Sequence, residues 1–265
     1  MHNNYGLKLG ASQPLDYKWG TLPKVVVNPS GDWTPYLPVY EPQVLPDGKD
    51  PQSCWIWGSI NANEIFLKLL YPDQDWNLSE RFVYNGLNAD PYGGNPFQAG
   101  EFLRKNGDVD EAVLPVGQTF EEFITPRPLT EELKNKAKAL LSLVTIKQEY
   151  VWNDFDSPIP LAEKARRITD ALKLSPLGVS LYAWTTDQNG LYYRPAGATD
   201  VHWCVLFKET DREYYIFDTY DHSIKKVRKD MNFAMCIRYF IHKGELPKQN
   251  LWSRILAWFR KLYEL

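Results

Sequence analysis

The stretch QSCWIWGSINANE, residues 52–64, sets a cysteine at the point where apolar spacing begins. Ile56, Ile60, Ile65, Phe66, Leu69 and Leu70 recur near a helical period, and Pro72 stops the run. Ser53 is the expected N-cap, which puts Cys54 in the first turn of the predicted helix. A thiol there lies near the positive end of the helix dipole, which favours the thiolate, the form that attacks carbonyl carbon. An isolated cysteine is more often an inert core residue, so the partners elsewhere in the chain decide its role.

A nucleophilic thiol needs a base that can take its proton and a third group that orients the base. The chain has four histidines. His2 lies at the start of the sequence, and His222 and His242 follow predicted strands near turns. His202 opens the apolar strand VHWCVLF, where a rigid element can aim an imidazole. Asp218 closes the following strand, EYYIFDTY, 16 positions later, a separation that fits a hairpin returning beside its own start. Cysteine at a helix start, histidine at a strand start and aspartate at the end of the next strand form a nucleophile, a base and an orienting acid in chain order.

Cys204 shares a strand face with His202, because side chains alternate along a strand. Zinc would need two further ligands at suitable spacing, and the sequence has no CxxC or HxxxH. The reading therefore assigns no metal and no cofactor, and takes Cys204 as a core residue. Trp203, on the opposite face, can equally line a substrate pocket or fill the core.

The elements that must position these residues fall into two kinds. Residues 1–51 are rich in Pro, Gly and turn formers, with one short strand expected at KVVV (24–27). After the Cys54 helix, LSERFVYNGLNA and NPFQAGEFLRKNG predict shorter helices, the second ending at Gly107. LTEELKNKAKALLSL and IPLAEKARRITDALKL are amphipathic at helical spacing. Beyond Pro176 the pattern is strand-like: LGVSLYAW, VHWCVLFKE, EYYIFDTY, SIKKV and AMCIRYFIH. Helices first and strands later predict an α+β protein.

The composition, 44% hydrophobic and 24% charged, is that of a globular chain able to bury a large core at 265 residues. A formal net charge of −3 with scattered Lys and Arg gives no footprint for nucleic acid. No basic start with an apolar stretch marks a secretory signal, and no apolar run approaches bilayer length. Three cysteines are too few for a disulfide framework and suit a reducing compartment, so a cytoplasmic location is expected, or a virion-associated one if the source is viral.

The triad order, with Cys54-Trp55 at the nucleophile, resembles the papain-like cysteine peptidases. CWIWGSINANE is similar to that family's helix after the nucleophile, with Glu64 ten residues on. LSERFVYNGLNADPYGGNPFQAGEFLRKNG resembles the segment in which an LSEQ-like turn leads to a GGYP-like loop. His202 lies 148 positions after Cys54, inside the range usual for the family. The resemblance covers roughly residues 38 to 240. It implies a two-lobed α+β fold with an active-site cleft between a helical lobe (53–175) and an antiparallel β lobe (1–52 and 176–247). Residues 1–247 would then form the peptidase domain, with 248–265 appended as a C-terminal helix.

The resemblance also implies roles. Cys54 is the nucleophile, His202 the base and acid, and Asp218 the group that holds the ring, standing where papain has Asn. Gly93, Gly94, Asn95 and Pro96 would form the strip that binds substrate backbone, with Trp203 as a further candidate. The position six before the nucleophile, where the family keeps its oxyanion glutamine, is Gly48. Gln43 and Gln52 are the substitutes, and Gln43 is preferred because an oxyanion donor must converge from a separate segment. Tyr220 replaces the tryptophan that shields the pair in the family. With no room for a long inhibitory prodomain before Cys54, control by a short N-terminal segment blocking the cleft, a partner or a narrow substrate choice is expected.

The implied activity is thiol-dependent endopeptidase action on peptide or protein substrates, in a bacterial or viral setting. Two alternatives stand beside it: a weak or inactive scaffold in a larger assembly, and a transglutaminase-like acyl transferase. The tail NLWSRILAWFRKLYEL carries a wide apolar stripe. It predicts docking onto its own domain, then partner binding or self-association through 248–265, with a membrane surface least favoured.

Overall fold

The computed structural model describes residues 6–13, 16–182, 184–220 and 224–244. Its centre is α1, Cys54–Leu70, whose residues 54 to 67 are all buried. A helix covered on every side needs neighbours all round. On one side these are α2 (Glu80–Leu87) and α3 (Pro96–Asn106), capped by Ser79 and Asn95, whose side chains accept from the N–H groups of Phe82 and Phe97. A short α4, Phe120–Ile124, and α5, Glu131–Leu143, complete that lobe.

On the other side lies a six-stranded antiparallel sheet of order β1-β6-β2-β3-β4-β5. The strands are β1 (Val144–Asn153), β2 (Leu177–Leu181), β3 (His202–Glu209), β4 (Glu213–Phe217), β5 (Ile224–Arg228) and β6 (Met235–Lys243). Helix α6, Leu161–Leu172, joins β1 to β2. All five strand segments expected after Pro176 form.

Three local expectations need correction. Residues 144–153, which the reading left inside the helical lobe, form the longest strand and pair with β6, so the sheet lobe begins at residue 144. VTIKQEYVWN is rich in β-branched and aromatic residues, and all but two of its positions are buried. KVVV makes no strand; Val25 and Val26 are about half exposed. Ser53 holds the N-cap position of α1, but its hydroxyl donates to the Pro51 carbonyl and caps nothing. The predicted tail helix, 248–265, lies outside the described residues, as do His2 and His222. Among the described residues no helix is long and apolar enough to cross a membrane.

Among the contacts that join the lobes, α1 packs on β3. Gly58, one turn into α1, meets Trp203: a Cβ there would lie 2.8 Å from the indole Cδ1 and 3.0 Å from the Trp203 carbonyl oxygen. The Trp203 ring is fully buried and packs on Gly178 of β2 at its other edge. Trp203 is therefore a core wedge, and the substrate-lining role considered for it is set aside.

Candidate active site

Strand register gathers the site. Val205 of β3 pairs with Phe217 of β4, so the next residue, Asp218, comes opposite Cys204. Ile216 pairs with Lys225 of β5, which makes Lys225 and Asp218 diagonal neighbours. His202, Cys204, Asp218 and Lys225 thus share one face of the sheet.

His202 Nε2 and Asp218 Oδ1 are 2.6 Å apart, both side chains fully buried. The second carboxylate oxygen takes the Lys225 ammonium, and the Tyr220 N–H donates to Oδ1 at 3.2 Å. The Cys204 thiol also donates to Asp218. Burial alone would push the Asp218 carboxyl up; the His202 and Lys225 charges overcome it and hold the group well below the usual carboxylate range. His202, Cys204 and Asp218 offer ligand atoms within 4.8 Å of one another. The Lys225 ammonium already pairs with the second Asp218 oxygen of this set.

Cys54 is the first residue of α1 and is completely buried. Burial pushes its thiol well up, against the expected effect of the helix start; the Trp203 N–H, pointing at the sulfur, works the other way, and the Asp50 and Asp218 charges add to the rise. The Trp203 amide follows His202 directly, so one strand brings both a hydrogen-bond donor and the imidazole to the thiol's end of α1. Asp218 engages the imidazole through Nε2 and not through Nδ1.

Gln43 is fully buried and bound to the segment after β4: its N–H donates to the Thr219 carbonyl at 3.1 Å, and Thr219 Oγ1 donates to Gln43 Oε1 at 3.3 Å. Its side-chain amide donates to Asp50 Oδ1 at 2.7 Å and lies 3.2 Å from the Tyr220 hydroxyl, which itself donates to Asp50. Gln52 is half-buried, with a left-handed backbone (φ 52°) and its N–H on Asp50. Gln43 thus reaches this region from a separate segment and is bound beside Asp218 through Thr219. Tyr220 sets its ring edge-on to His202 at 5.2 Å.

The strip at 93–96 divides. Gly93 and Gly94 meet the N-terminal arm: Gly94 N–H donates to the Gly6 carbonyl at 2.8 Å and Lys8 N–H to the Gly94 carbonyl at 2.9 Å, a parallel bridge through Leu7. A Cβ on Gly6 would run into the Gln52 carbonyl, and one on Gly94 into the Trp55 ring, so the arm passes in contact with the loop just before Cys54. Asn95 and Pro96 are the cap and first residue of α3, a structural duty.

Three features escaped the sequence reading: Lys225, Asp50 and Trp184, whose ring lies 5.6 Å from the His202 ring. An inward lysine at a strand position was the one visible signal.

No protein-family model matches the sequence, and no curated protein sequence matches it. Solved structures do. Xylellain, a cysteine protease from Xylella fastidiosa, superposes with a TM-score of 0.60 at 17% identity, over 91% of this chain and 96% of that one. Digestive procathepsin L 3 of Tenebrio molitor gives 0.59 at 14% identity, over 89% and 76%. Bromelain from Ananas comosus, solved with the E64 inhibitor, gives 0.56 at 14%, over 79% and 97%. At these identities the likeness establishes the fold: a two-lobed, papain-like α+β architecture.

Proposed function

We propose that this papain-like chain is a cysteine endopeptidase that cuts peptide or protein substrates through a Cys54 acyl-enzyme. The observation that carries the reading is the buried His202–Asp218 pair at 2.6 Å, on the strand whose next amide points at the Cys54 sulfur. A buried imidazole held through Nε2 by a carboxylate has a fixed orientation and a charged form that is stabilised when it accepts a proton.

The chemistry then runs as follows. The Cys54 thiol passes its proton to His202 Nδ1, and the sulfur attacks the substrate carbonyl carbon. Gln43, once its amide leaves Asp50, and the Cys54 N–H receive the oxyanion. The C–N bond breaks as Nδ1–H protonates the leaving amine, and the acyl group stays on sulfur as a thioester. Water, deprotonated by Nδ1, releases the acid and returns the thiol.

Cys54 and His202 are buried, burial pushes the Cys54 thiol pKa up, and residues 6–8 lie on the glycine strip. These features support a latent form, with the arm as the short N-terminal block. Substrate backbone takes the place of the arm on Gly93 and Gly94.

Treatment with an epoxide thiol inhibitor, followed by peptide mapping, tests the assignment. Cys54 is expected to be modified while Cys204 and Cys236 stay intact, and Cys54→Ala is expected to abolish cleavage of an unfolded protein substrate. Equal, slow modification of all three cysteines would instead favour a scaffold without turnover. A product in which an added amine replaces water would favour acyl transfer.

A further inference from the structure

Lys225 sits at an inward position of β5, a strand whose exposure alternates, and its side chain is 2% exposed. An ammonium taken out of water costs several kcal/mol unless a counter-ion and other contacts offset it. Here they converge: Asp218 Oδ2 receives the ammonium, and the rings of Trp184 and Tyr192 flank it with centroids at 5.1 and 5.3 Å. The same Trp184 ring lies beside His202. A hydrophobic residue would fill this inward position at less cost, and a cation there alters the one carboxylate that holds the imidazole.

We propose that Lys225 is a positioning residue of the site, a buried counter-charge that shares the Asp218 carboxylate with His202 and so sets the pH at which the imidazole changes charge. The inference rests on the reading of Cys54, His202 and Asp218 as a triad. An aspartate with His202 as its sole cationic partner would hold the imidazolium strongly and make it a reluctant acid toward a leaving amine. With Lys225 on the other oxygen, His202 faces a neutralised pair instead of a net negative charge. Asp218 also stays ionised when His202 is neutral, so Nε2–H remains the bound tautomer and the ring keeps its orientation. Among the described residues, the titratable and charged groups around this cluster are Cys54 of α1, Cys204 of β3, Asp218 and Tyr220 after β4, Tyr192 in the β2–β3 connection, and Asp50.

The test is the imidazole titration of His202 by NMR in the full chain labelled with 15N-histidine, with the signal assigned against a His202→Gln variant. Lys225→Met removes charge and donor; Lys225→Gln removes charge and keeps a donor for Asp218; Lys225→Arg keeps both. The His202 midpoint is expected to move upward from that of the native chain in the Met and Gln variants, and to coincide with it in the Arg variant. If Lys225→Met does not fold, Lys225→Gln alone gives the answer. Midpoints equal to that of the native chain in the charge-free variants would overturn the proposal and leave Lys225 as a packing cation. Failure of Cys54 to react with an epoxide in every chain would sink the peptidase reading, yet the imidazole shift would still decide the role of Lys225.

Discussion

The backbone N–H of Gly94 donates to the carbonyl of Gly6 at 2.8 Å, and with Lys8 returning a bond at 2.9 Å the arm covers the glycine strip. Two net backbone bonds hold about 2 kcal/mol, which would keep the uncovered population down roughly 30-fold. Gly6 has φ 93° and no room for a Cβ against Gln52. Gly6→Val is therefore expected to expel the arm and raise the rate of Cys54 alkylation by roughly that factor. An unchanged rate, measured by mass spectrometry of the Cys54 peptide, would mean that the arm does not gate the thiol.

Acid is expected to stabilise this fold. Burial pushes Glu64 up to about 8, with the Glu41, Glu111 and Asp110 charges adding to the rise against the Leu78 N–H, which donates to it at 2.6 Å. Glu111 is likewise pushed to about 8, again chiefly by burial. Both groups hold their protons in the folded chain at pH values where the unfolded chain has released them. The contribution of these two groups is thus full below the unfolded value near 4.5 and falls by about 1.4 kcal/mol per pH unit for each as pH rises toward 8. Urea midpoints at pH 5.5 and 7.5 should fall in that order, and Glu64→Gln should flatten the slope by about one group's share.

Much of this was legible from residue types. The Cys54 helix, the strands bearing His202 and Asp218, and their order follow from periodicity and turn signals, because each element is regular and apolar at the right spacing. What the sequence hid lies in register and closure. Lys225 becomes meaningful once β5 pairs with β4 and turns the lysine toward Asp218. Trp184 and the arm reach the site through irregular segments whose paths no local pattern encodes. The burial that pushes the Cys54 thiol up was hidden for the same reason: it comes from what packs over the helix start, which the local sequence does not encode.

Asp218 and Lys225 should be coupled in stability as well as in titration. Asp218→Asn leaves a buried ammonium beside a neutral amide, and breaking one partner of such a pair costs roughly 3 to 5 kcal/mol. In a Lys225→Met background the same change is expected to cost much less. The coupling energy from a double-mutant cycle in urea should exceed about 1 kcal/mol; additive costs would mean that the two groups are not energetically paired.

The distance between Cys54 and His202 depends on how closely α1 and β3 approach, and Gly58 sets that approach. An alanine is normally favoured over glycine inside a helix by about 1 kcal/mol. At Gly58 the added methyl would meet Trp203 at its ring carbon, 2.8 Å away, and at its carbonyl oxygen, 3.0 Å away. The ring, wedged on Gly178, has nowhere to go, and the carbonyl belongs to the strand itself. The strand must shift, and overpacking of this kind costs typically 1 to 3 kcal/mol, or roughly that order here. Because His202 and the Trp203 amide ride on the same strand, the shift would draw both away from Cys54. Gly58→Ala should therefore lower the melting temperature modestly and reduce Cys54 alkylation at neutral pH by a larger factor than the lost stability explains. A variant that melts early but alkylates at the native rate while folded would show that the α1–β3 spacing does not control the pair.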